Sequence, residues 1–291
     1  MCRLFGMSGG EAAVSARVWL LDAPDSLEVQ SHSNPDGTGL GVFDERRRPV
    51  VDKAPISAFA DAAFAEEARS ERSRTFIGHV RFASATGLTM ENTHPFVQDD
   101  RIFAHNGVFE GLDLLDHELG DDRDLVRGQT DSERFFALIT REIRQHDGDV
   151  RAGIVAAGSW IAENLTMYSL NMVLVTDTEL FALRYPDNNT LYVLDRSPGG
   201  HGEGEDALQH HSRLGTKLHS EQAAEQRVVV IASEPMDSDP GWRAFEPGEL
   251  LHVDAGLAIN SEIALPEPPA KLMQLHHMDE KARESQAGSG G

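Results

Sequence analysis

Short runs of apolar residues, each bounded by turn-forming residues, divide the chain into segments with the lengths of β-strands. Asp177-Thr178 lies between two of them and predicts a hairpin. The second half is therefore predicted to be mostly sheet. The predicted strands cover 75–82, 101–105, 171–176, 179–185, 190–194, 227–232 and 249–253.

Apolar residues recur at helical spacing in two segments of the first half. Residues 58–69 are predicted to form a helix with Phe59 and Phe64 on part of its apolar face. Residues 131–145 form a second predicted helix, which Asp131 or Ser132 can cap. Its phenylalanines are expected to lie in the core rather than to contact a cofactor.

Glycine and asparagine interrupt the apolar pattern at three places. Gly6, Gly9 and Gly10 predict an early end to a first strand that begins at Leu4, and Asn106-Gly107 predicts a turn at the end of the strand over 101–105. The segment 32–43 is a turn-dense loop that leads into a strand. Its glycines are not followed by Lys-Ser/Thr, which disfavours a phosphate-binding loop.

The chain length and the absence of repeats and linkers favour one domain, over residues 2–264. The Pro-rich segment that follows, residues 265–291, is predicted to be a partly disordered tail. No apolar run approaches the ~20 residues of a membrane span, so we expect no membrane association.

Composition narrows the partners that this chain is expected to have. The formal net charge of −22 argues against binding a phosphate backbone, so no nucleic-acid partner is expected. A single cysteine in 291 residues excludes an intrachain disulfide and favours a cytoplasmic protein. We expect neither a cofactor nor a metal, because the histidines within 197–219 lack zinc-like spacing.

The one cysteine stands at position two, where removal of Met1 would place a thiol and a free α-amine on the same residue. Such a residue combines a nucleophile with its own base. The amine titrates near ~7.7–8.0 and the thiol near ~8.5, so neither needs a large shift to act at neutral pH. The alternative is a buried, inert cysteine in the first strand.

Polar clusters farther along the chain provide the other groups that attack on an amide requires. Asn106 and Gly107 can supply a side-chain and a backbone N–H to an oxyanion. Arg81, assisted by Ser84, can hold a carboxylate, and Asp131 can hold an ammonium group. Together they describe a pocket for the α-carbon end of a glutamyl group whose γ-amide reaches Cys2.

Each of these residues also has a structural explanation when it is taken alone. Asn-Gly is common in hairpin turns, a strand arginine often forms an ion pair, and Asp131 can act only as a helix cap. His79, His94 and His105 are each expected to be structural residues with satisfied rings, because the α-amine already provides a base.

Taken together and in this order, the motifs from Cys2 to Asp131 resemble those of the class II glutamine amidotransferases. A weaker match follows at 232–235 and 247–251. The resemblance implies an α+β fold, a four-layer αββα sandwich of two antiparallel sheets known as the N-terminal nucleophile hydrolase fold. The roles that it implies are a nucleophile at Cys2, an oxyanion hole at Asn106 and Gly107, and substrate contacts at Arg81, Ser84, Asp131, His105 and Thr130.

The Met-Cys-Arg-Leu start and the lack of a fused synthase resemble the stand-alone branch of that family, which includes γ-glutamyl hydrolases. Thr38 departs from the pattern, since relatives commonly carry Trp there, and the leaving group is not carried over. The expected activity is cysteine-dependent hydrolysis of a γ-glutamyl amide. An ammonia-donating subunit of a synthase, a catalytically silent binding protein, and a penicillin- or bile-salt-type amidase remain alternatives, and a homo-oligomer is possible.

Overall fold

The structure is a computed structural model that describes residues 2–83, 86–198, 210–211, 217–218 and 226–274. The strands of its first sheet are β1 (Arg3–Ser8), β2 (Gly37–Phe43), β3 (Pro49–Ala54), β4 (Thr75–Arg81), β9 (Tyr192–Arg196), β12 (Val228–Ala232) and β13 (Arg243–Ala244). Their order across the sheet is β13-β9-β12-β1-β4-β2-β3, and all neighbours are antiparallel. The N-terminal strand β1 therefore lies near the middle, between β12 and β4.

The strands of the second sheet are β5 (Phe96–Gln98), β6 (Arg101–Phe109), β7 (Thr166–Val175), β8 (Leu180–Leu183), β14 (Glu249–Val253), β15 (Ile259–Ile263) and β16 (Lys271–Leu272). Their order is β15-β14-β8-β7-β6-β5, again antiparallel, and the short β16 pairs in parallel with the start of β7. Two further strands of two residues each, β10 (His210–His211) and β11 (Lys217–Leu218), pair with one another.

In the described part of the chain, five α-helices cover the outer faces of the sheets. Among the described residues, no helix is long and apolar enough to cross a bilayer. Short helical turns of other types occur at Val18–Asp22, Ala58–Ala60 and Gly120–Leu125. The α-helices are α1 (Leu27–Gln30), α2 (Ala62–Ser70), α3 (Leu112–Leu119), α4 (Asp131–Gln145) and α5 (Val150–Asn164).

Alternation of side chains along the strands builds three apolar layers. In β1, Leu4 packs between the two sheets, whereas Phe5 packs toward the side of α1 and α2. In β6, Ala104 faces the other sheet and Phe103 faces the layer of α4 and α5. The order helix, sheet, sheet, helix confirms the predicted four-layer αββα sandwich.

Two predicted strand ends are wrong, and in both cases a glycine continues a strand. β1 runs through Gly6, where an added Cβ would lie 2.8 Å from Val173 of the facing sheet. β6 likewise runs through Asn106-Gly107, which pair with Asn171 and Leu170 of β7 instead of forming a turn. Close approach between neighbouring backbones or sheets therefore explains both glycines.

The helix predicted over 58–69 is divided by Asp61, whose side chain caps α2, and Phe59 is 48% exposed instead of lying on an apolar face. The helix over 131–145 is confirmed, although its cap is Thr130. Helices α3 and α5 were not predicted. The hairpin of β7 and β8 is confirmed, whereas the strand predicted over 190–194 pairs with β12 in the other sheet.

The chain beyond residue 264 continues to contact the body of the protein. Lys271 and Leu272 pair with Thr166 and Met167, and Met273 is buried. Residues 275–291 lie outside the described residues, as does most of the segment 197–219. The division into a domain over 2–264 and a tail stays a prediction.

Candidate active site

Cys2 immediately precedes β1 at one end of the first sheet. Its sulfur accepts a hydrogen bond from the backbone N–H of Phe82, with Sγ and N 3.3 Å apart. Burial raises the pKa of the Cys2 thiol, while the Phe82 N–H and the charges of Arg81 and Arg3 act in the opposite direction. The thiol form therefore predominates at neutral pH, and a reaction of the sulfur as a thiolate would require a base.

Arg81 ends β4 beside Cys2, because Arg3 and Val80 are directly paired across the two strands. Its guanidinium donates to the Thr86 hydroxyl over 2.6 Å and to the carbonyl of Gly87 over 3.3 Å. Burial lowers the pKa of Arg81, and the neighbouring Cys2 and the carboxylates of Asp36 and Asp131 oppose that shift. A buried guanidinium in this setting favours an anionic partner.

Asn106 and Gly107 lie within β6, facing the end of β1. The side-chain amide of Asn106 donates to the carbonyl oxygen of Cys2 over 3.0 Å. At Gly107, an added Cβ would lie 1.8 Å from the Ser169 carbonyl oxygen and 2.6 Å from Nε2 of His105. Only glycine fits this position, which leaves the backbone here closely packed against β7.

Asp131 is the first residue of α4, directly after the cap Thr130, whose hydroxyl accepts from the Glu133 N–H. The Asp131 carboxylate accepts from the backbone N–H of Phe109 over 3.2 Å and from that of Ser132 over 2.8 Å. These bonds fix the start of α4 to the end of β6. The helix N-terminus further stabilises the negative charge of Asp131.

The ring of His105 is buried below this helix start, and both of its nitrogens have partners. Nδ1 lies 3.0 Å from the Ser132 hydroxyl, and Nε2 lies 3.2 Å from the carbonyl oxygen of Ser169. Burial lowers the pKa of His105, against the opposing charge of Asp131. His105 is thus held as a neutral ring by two protein groups.

A cavity of about 120 Å³ connects these elements. Cys2, Arg81 and Asp131 all line it, which places a cation and an anion in one cavity with the thiol. Gly107, His105 and Thr130 line it as well, whereas Asn106 contacts the main chain of Cys2. The structure therefore brings seven of the eight predicted site residues together. The eighth, Ser84, lies outside the described residues.

Several residues near the cavity were not assigned a role from the sequence. Asp36 accepts from the Ala83 N–H over 2.8 Å and so holds the segment after β4. Thr86 binds the Arg81 guanidinium. Asp36 stands in an Asp-Gly pair, which indicates a turn but carries no signal for this contact. Nothing in the spacing of Thr86 indicated its role.

His94 also lines the cavity, and its ring stacks on that of His79 with centroids 4.1 Å apart. Both rings are buried, and neither nitrogen of His94 has a hydrogen-bond partner within the described residues. The ring of His79 interacts with the backbone of His105, which acts against the effect of burial on its pKa. The expectation of a satisfied ring is therefore wrong for His94. Burial lowers the pKa of His79 to about 3 and that of His94 well below its ordinary value.

No group of three or more metal-binding side chains occurs within the part of the chain that the structure describes. The absence of a metal and of a cofactor stays a prediction.

One curated relative matches this chain over most of the length of both proteins. The γ-glutamyl-hercynylcysteine sulfoxide hydrolase of Mycobacterium tuberculosis is 28% identical over 264 residues, which cover 87% of this chain and 93% of the relative.

Solved structures have the same architecture. A class-II glutamine aminotransferase domain protein from Silicibacter pomeroyi superposes with a TM-score of 0.59 at 18% identity, covering 90% of this chain and 98% of that one. The glutamine phosphoribosylpyrophosphate amidotransferase of B. subtilis superposes with a TM-score of 0.63 at 19% identity. The superposition covers 92% of this chain and 50% of that longer chain. At such identities these structures establish the fold alone, which is that of the N-terminal nucleophile hydrolases.

The family model for class-II glutamine amidotransferases matches residues 1–276, nearly the whole chain. The chain therefore belongs to the class-II glutamine amidotransferases.

Proposed function

We propose that this protein hydrolyses a γ-glutamyl amide, with Cys2 as nucleophile after Met1 has been removed. The observation that carries the proposal is the shared cavity in which Arg81 and Asp131 accompany the Cys2 thiol. An α-amino acid presents one carboxylate and one ammonium group. The pair of opposite charges matches that arrangement better than it matches an apolar acyl chain, which disfavours a penicillin- or bile-salt-type amidase.

The reaction begins when the Cys2 sulfur attacks the γ-carbonyl carbon and its proton passes to the α-amine of the same residue. The raised pKa of the thiol supports the need for that base. The resulting oxyanion accepts hydrogen bonds from Asn106 and from the Gly107 N–H. The C–N bond then breaks, the α-amine gives its proton to the departing amine, and a glutamyl thioester remains.

Water completes the cycle by adding to the thioester carbon. The same α-amine takes a proton from the water, the C–S bond breaks, and the α-amine returns that proton to the Cys2 sulfur as glutamate is released. Arg81 holds the α-carboxylate throughout, and Asp131 holds the α-ammonium. Ser84 and Thr130 contribute polar contacts to these two groups.

The leaving group is the finer part of the proposal. The mycobacterial relative is named for a γ-glutamyl conjugate, and this similarity supports a conjugate larger than glutamine. Thr38 is buried, and its hydroxyl has no partner within the described residues. Because the family commonly has Trp at this position, the identity of the leaving group is not carried over from relatives. A cytoplasmic location, expected from the single cysteine, belongs to the same proposal.

The test uses protein whose loss of Met1 has been verified by intact mass. Glutamine, γ-glutamyl dipeptides and γ-glutamyl thioether conjugates are incubated with the protein, and released glutamate is measured. We expect release from at least one compound, and none with Cys2→Ala. Failure with every compound would contradict the proposal. Release from glutamine that requires a co-purified synthase would instead identify an ammonia-donating subunit.

A further inference from the structure

The hydrogen bonds beneath Asp131 define which nitrogen of His105 carries the ring proton. The carbonyl oxygen of Ser169, 3.2 Å from Nε2, can only accept a hydrogen bond. Nε2 must therefore be the protonated nitrogen. In the neutral ring, Nδ1 is then an acceptor and requires a donor.

The Ser132 hydroxyl is the donor that lies within reach of Nδ1, at 3.0 Å. It has one proton and a second acceptor nearby, Oδ1 of Asp131, at 3.2 Å. That carboxylate oxygen already accepts from the Ser132 backbone N–H over 2.8 Å. An imidazole nitrogen left unpaired in this buried place would cost more, so the hydroxyl proton goes to His105.

On this basis we propose that neutral His105, acting through the Ser132 hydroxyl, keeps the Asp131 carboxylate available for the ammonium group of the substrate. His105 is then a positioning residue that contacts the protein on both sides, rather than a direct contact of the substrate. This inference rests on the proposed function, in which Asp131 receives that ammonium group.

The physical effect comes from the orientation of the Ser132 hydroxyl. While its proton points to His105, its lone pairs face the carboxylate, which strengthens the attraction of Asp131 for a cation. Protonation of His105 reverses the orientation of the Ser132 hydroxyl, because Nδ1–H then donates to the Ser132 oxygen and the hydroxyl proton turns to Asp131. The imidazolium charge would also compete with the substrate for the carboxylate.

The groups that surround His105 determine when this reversal occurs. Asp131 faces it from the start of α4, and its charge favours protonation. His79 of β4 and His94 of the segment before β5 lie close enough for their charges to interact with that of His105. Phe109 and Phe135 pack against its ring. Burial outweighs Asp131, so the ring stays neutral at neutral pH.

Ser132→Ala is the decisive variant. It removes the donor to neutral Nδ1 and leaves that nitrogen without a hydrogen-bond partner beside the negative charge of Asp131, which favours the protonated ring. We expect KM for the γ-glutamyl substrate to rise about threefold to tenfold, with kcat little changed. The acidic limb of the kcat/KM profile should move to higher pH, and Ser132→Thr should restore both values.

Thr140→Val is the matched control. Thr140 is a buried residue of the same helix whose hydroxyl has no partner within the described residues, and valine keeps its shape. This variant should change neither KM nor the acidic limb. If Ser132 acted only in packing, Ser132→Ala would change stability but, like Thr140→Val, would leave the pH profile unchanged.

A second measurement is independent of catalysis. Nitrogen NMR of protein labelled at histidine identifies the protonated ring nitrogen, and His105→Gln assigns the signal. We expect the Nε2–H form at neutral pH and a higher pH of protonation in Ser132→Ala. A proton on Nδ1, or an unchanged acidic limb and KM in Ser132→Ala, would overturn the inference. If the protein hydrolysed no γ-glutamyl compound, the proposed function would fail while this NMR test would still decide the tautomer.

Discussion

The side-chain amide of Asn106 donates a hydrogen bond of 3.0 Å to the carbonyl oxygen of Cys2. The bond joins the middle of β6 to the residue before β1, and thereby connects the two sheets at the thiol. An asparagine amide has two N–H donors, and this bond occupies one of them. Asn106 can therefore position Cys2, the proposed nucleophile, and still donate to an oxyanion.

Replacement of Asn106 should lower the rate of the chemical step more than it weakens substrate binding. We expect Asn106→Ala to lower kcat about 10²- to 10³-fold, the usual effect of losing one oxyanion donor, with a smaller change in KM. Steady-state kinetics on the substrate found in the panel measures this. Asn188→Ala removes an amide that bonds to the Tyr168 carbonyl outside the cavity and should leave kcat unchanged. Equal losses in both variants would contradict the assigned role.

Asp131 should be needed only by substrates that carry an α-ammonium group. Asp131→Asn should lower kcat/KM about 10- to 100-fold, in line with loss of a charged hydrogen bond. A glutaramate derivative with the same leaving group but no α-amine should be a poor substrate that the variant handles as well as the parent protein does. A similar loss on both compounds would show that Asp131 acts only as part of the helix start.

Arg81 should be needed only by substrates that carry an α-carboxylate. Lysine keeps the charge but loses the two-pronged geometry, so Arg81→Lys should raise KM about 10-fold or more. A 4-aminobutanamide derivative, which lacks the carboxylate, should be insensitive to the change. Insensitivity of the full γ-glutamyl substrate would place its carboxylate elsewhere.

Apolar runs predicted most of the strands, because a short run such as 227–232 lies buried in the sheet over nearly its whole length as β12. They did not predict α5, whose Gly and Ala residues lack a strong periodic pattern. The local sequence predicts a turn at Asn106-Gly107. The position of this pair within β6 depends on Ser169 of a strand more than 60 residues away, which local sequence does not report.

The proximity of Cys2, Arg81 and Asp131 could be predicted because a thiol, a cation and an anion suit one pocket, and all three line the same cavity. Their roles stay predictions. The Ser132 contact with His105 could not be predicted in the same way. It requires the start of α4 to lie over β6, and that arrangement results from packing between distant elements.

Buried His79 should make the protein sensitive to acid. Its pKa is about 3 in the folded protein, whereas an unfolded histidine titrates near ~6.5. The unfolded chain binds more protons between these values, so the free energy of unfolding falls as pH drops below ~6.5. At a pH of about 5.5 this one residue should contribute about 1.4 kcal/mol of that loss.

Urea unfolding of His79→Phe at neutral pH and at a pH of about 5.5 measures this contribution, since phenylalanine keeps a ring beside His94. The variant should lose less stability on acidification than the parent protein by about that amount. His117→Gln, at an exposed position, should lose as much as the parent. An unchanged acid slope in His79→Phe would show that its ring does not titrate as described.

Covalent capture tests most directly whether Cys2 is a nucleophile in a pocket for the glutamyl group. Protein without Met1 is treated with a glutamine analogue that carries a γ-diazoketone, and intact mass and peptide mapping locate the adduct. We expect one adduct per chain, on Cys2, with protection by glutamate and no adduct in Cys2→Ala. No adduct at all, or labelling of Cys2 that glutamate does not slow, would contradict the account.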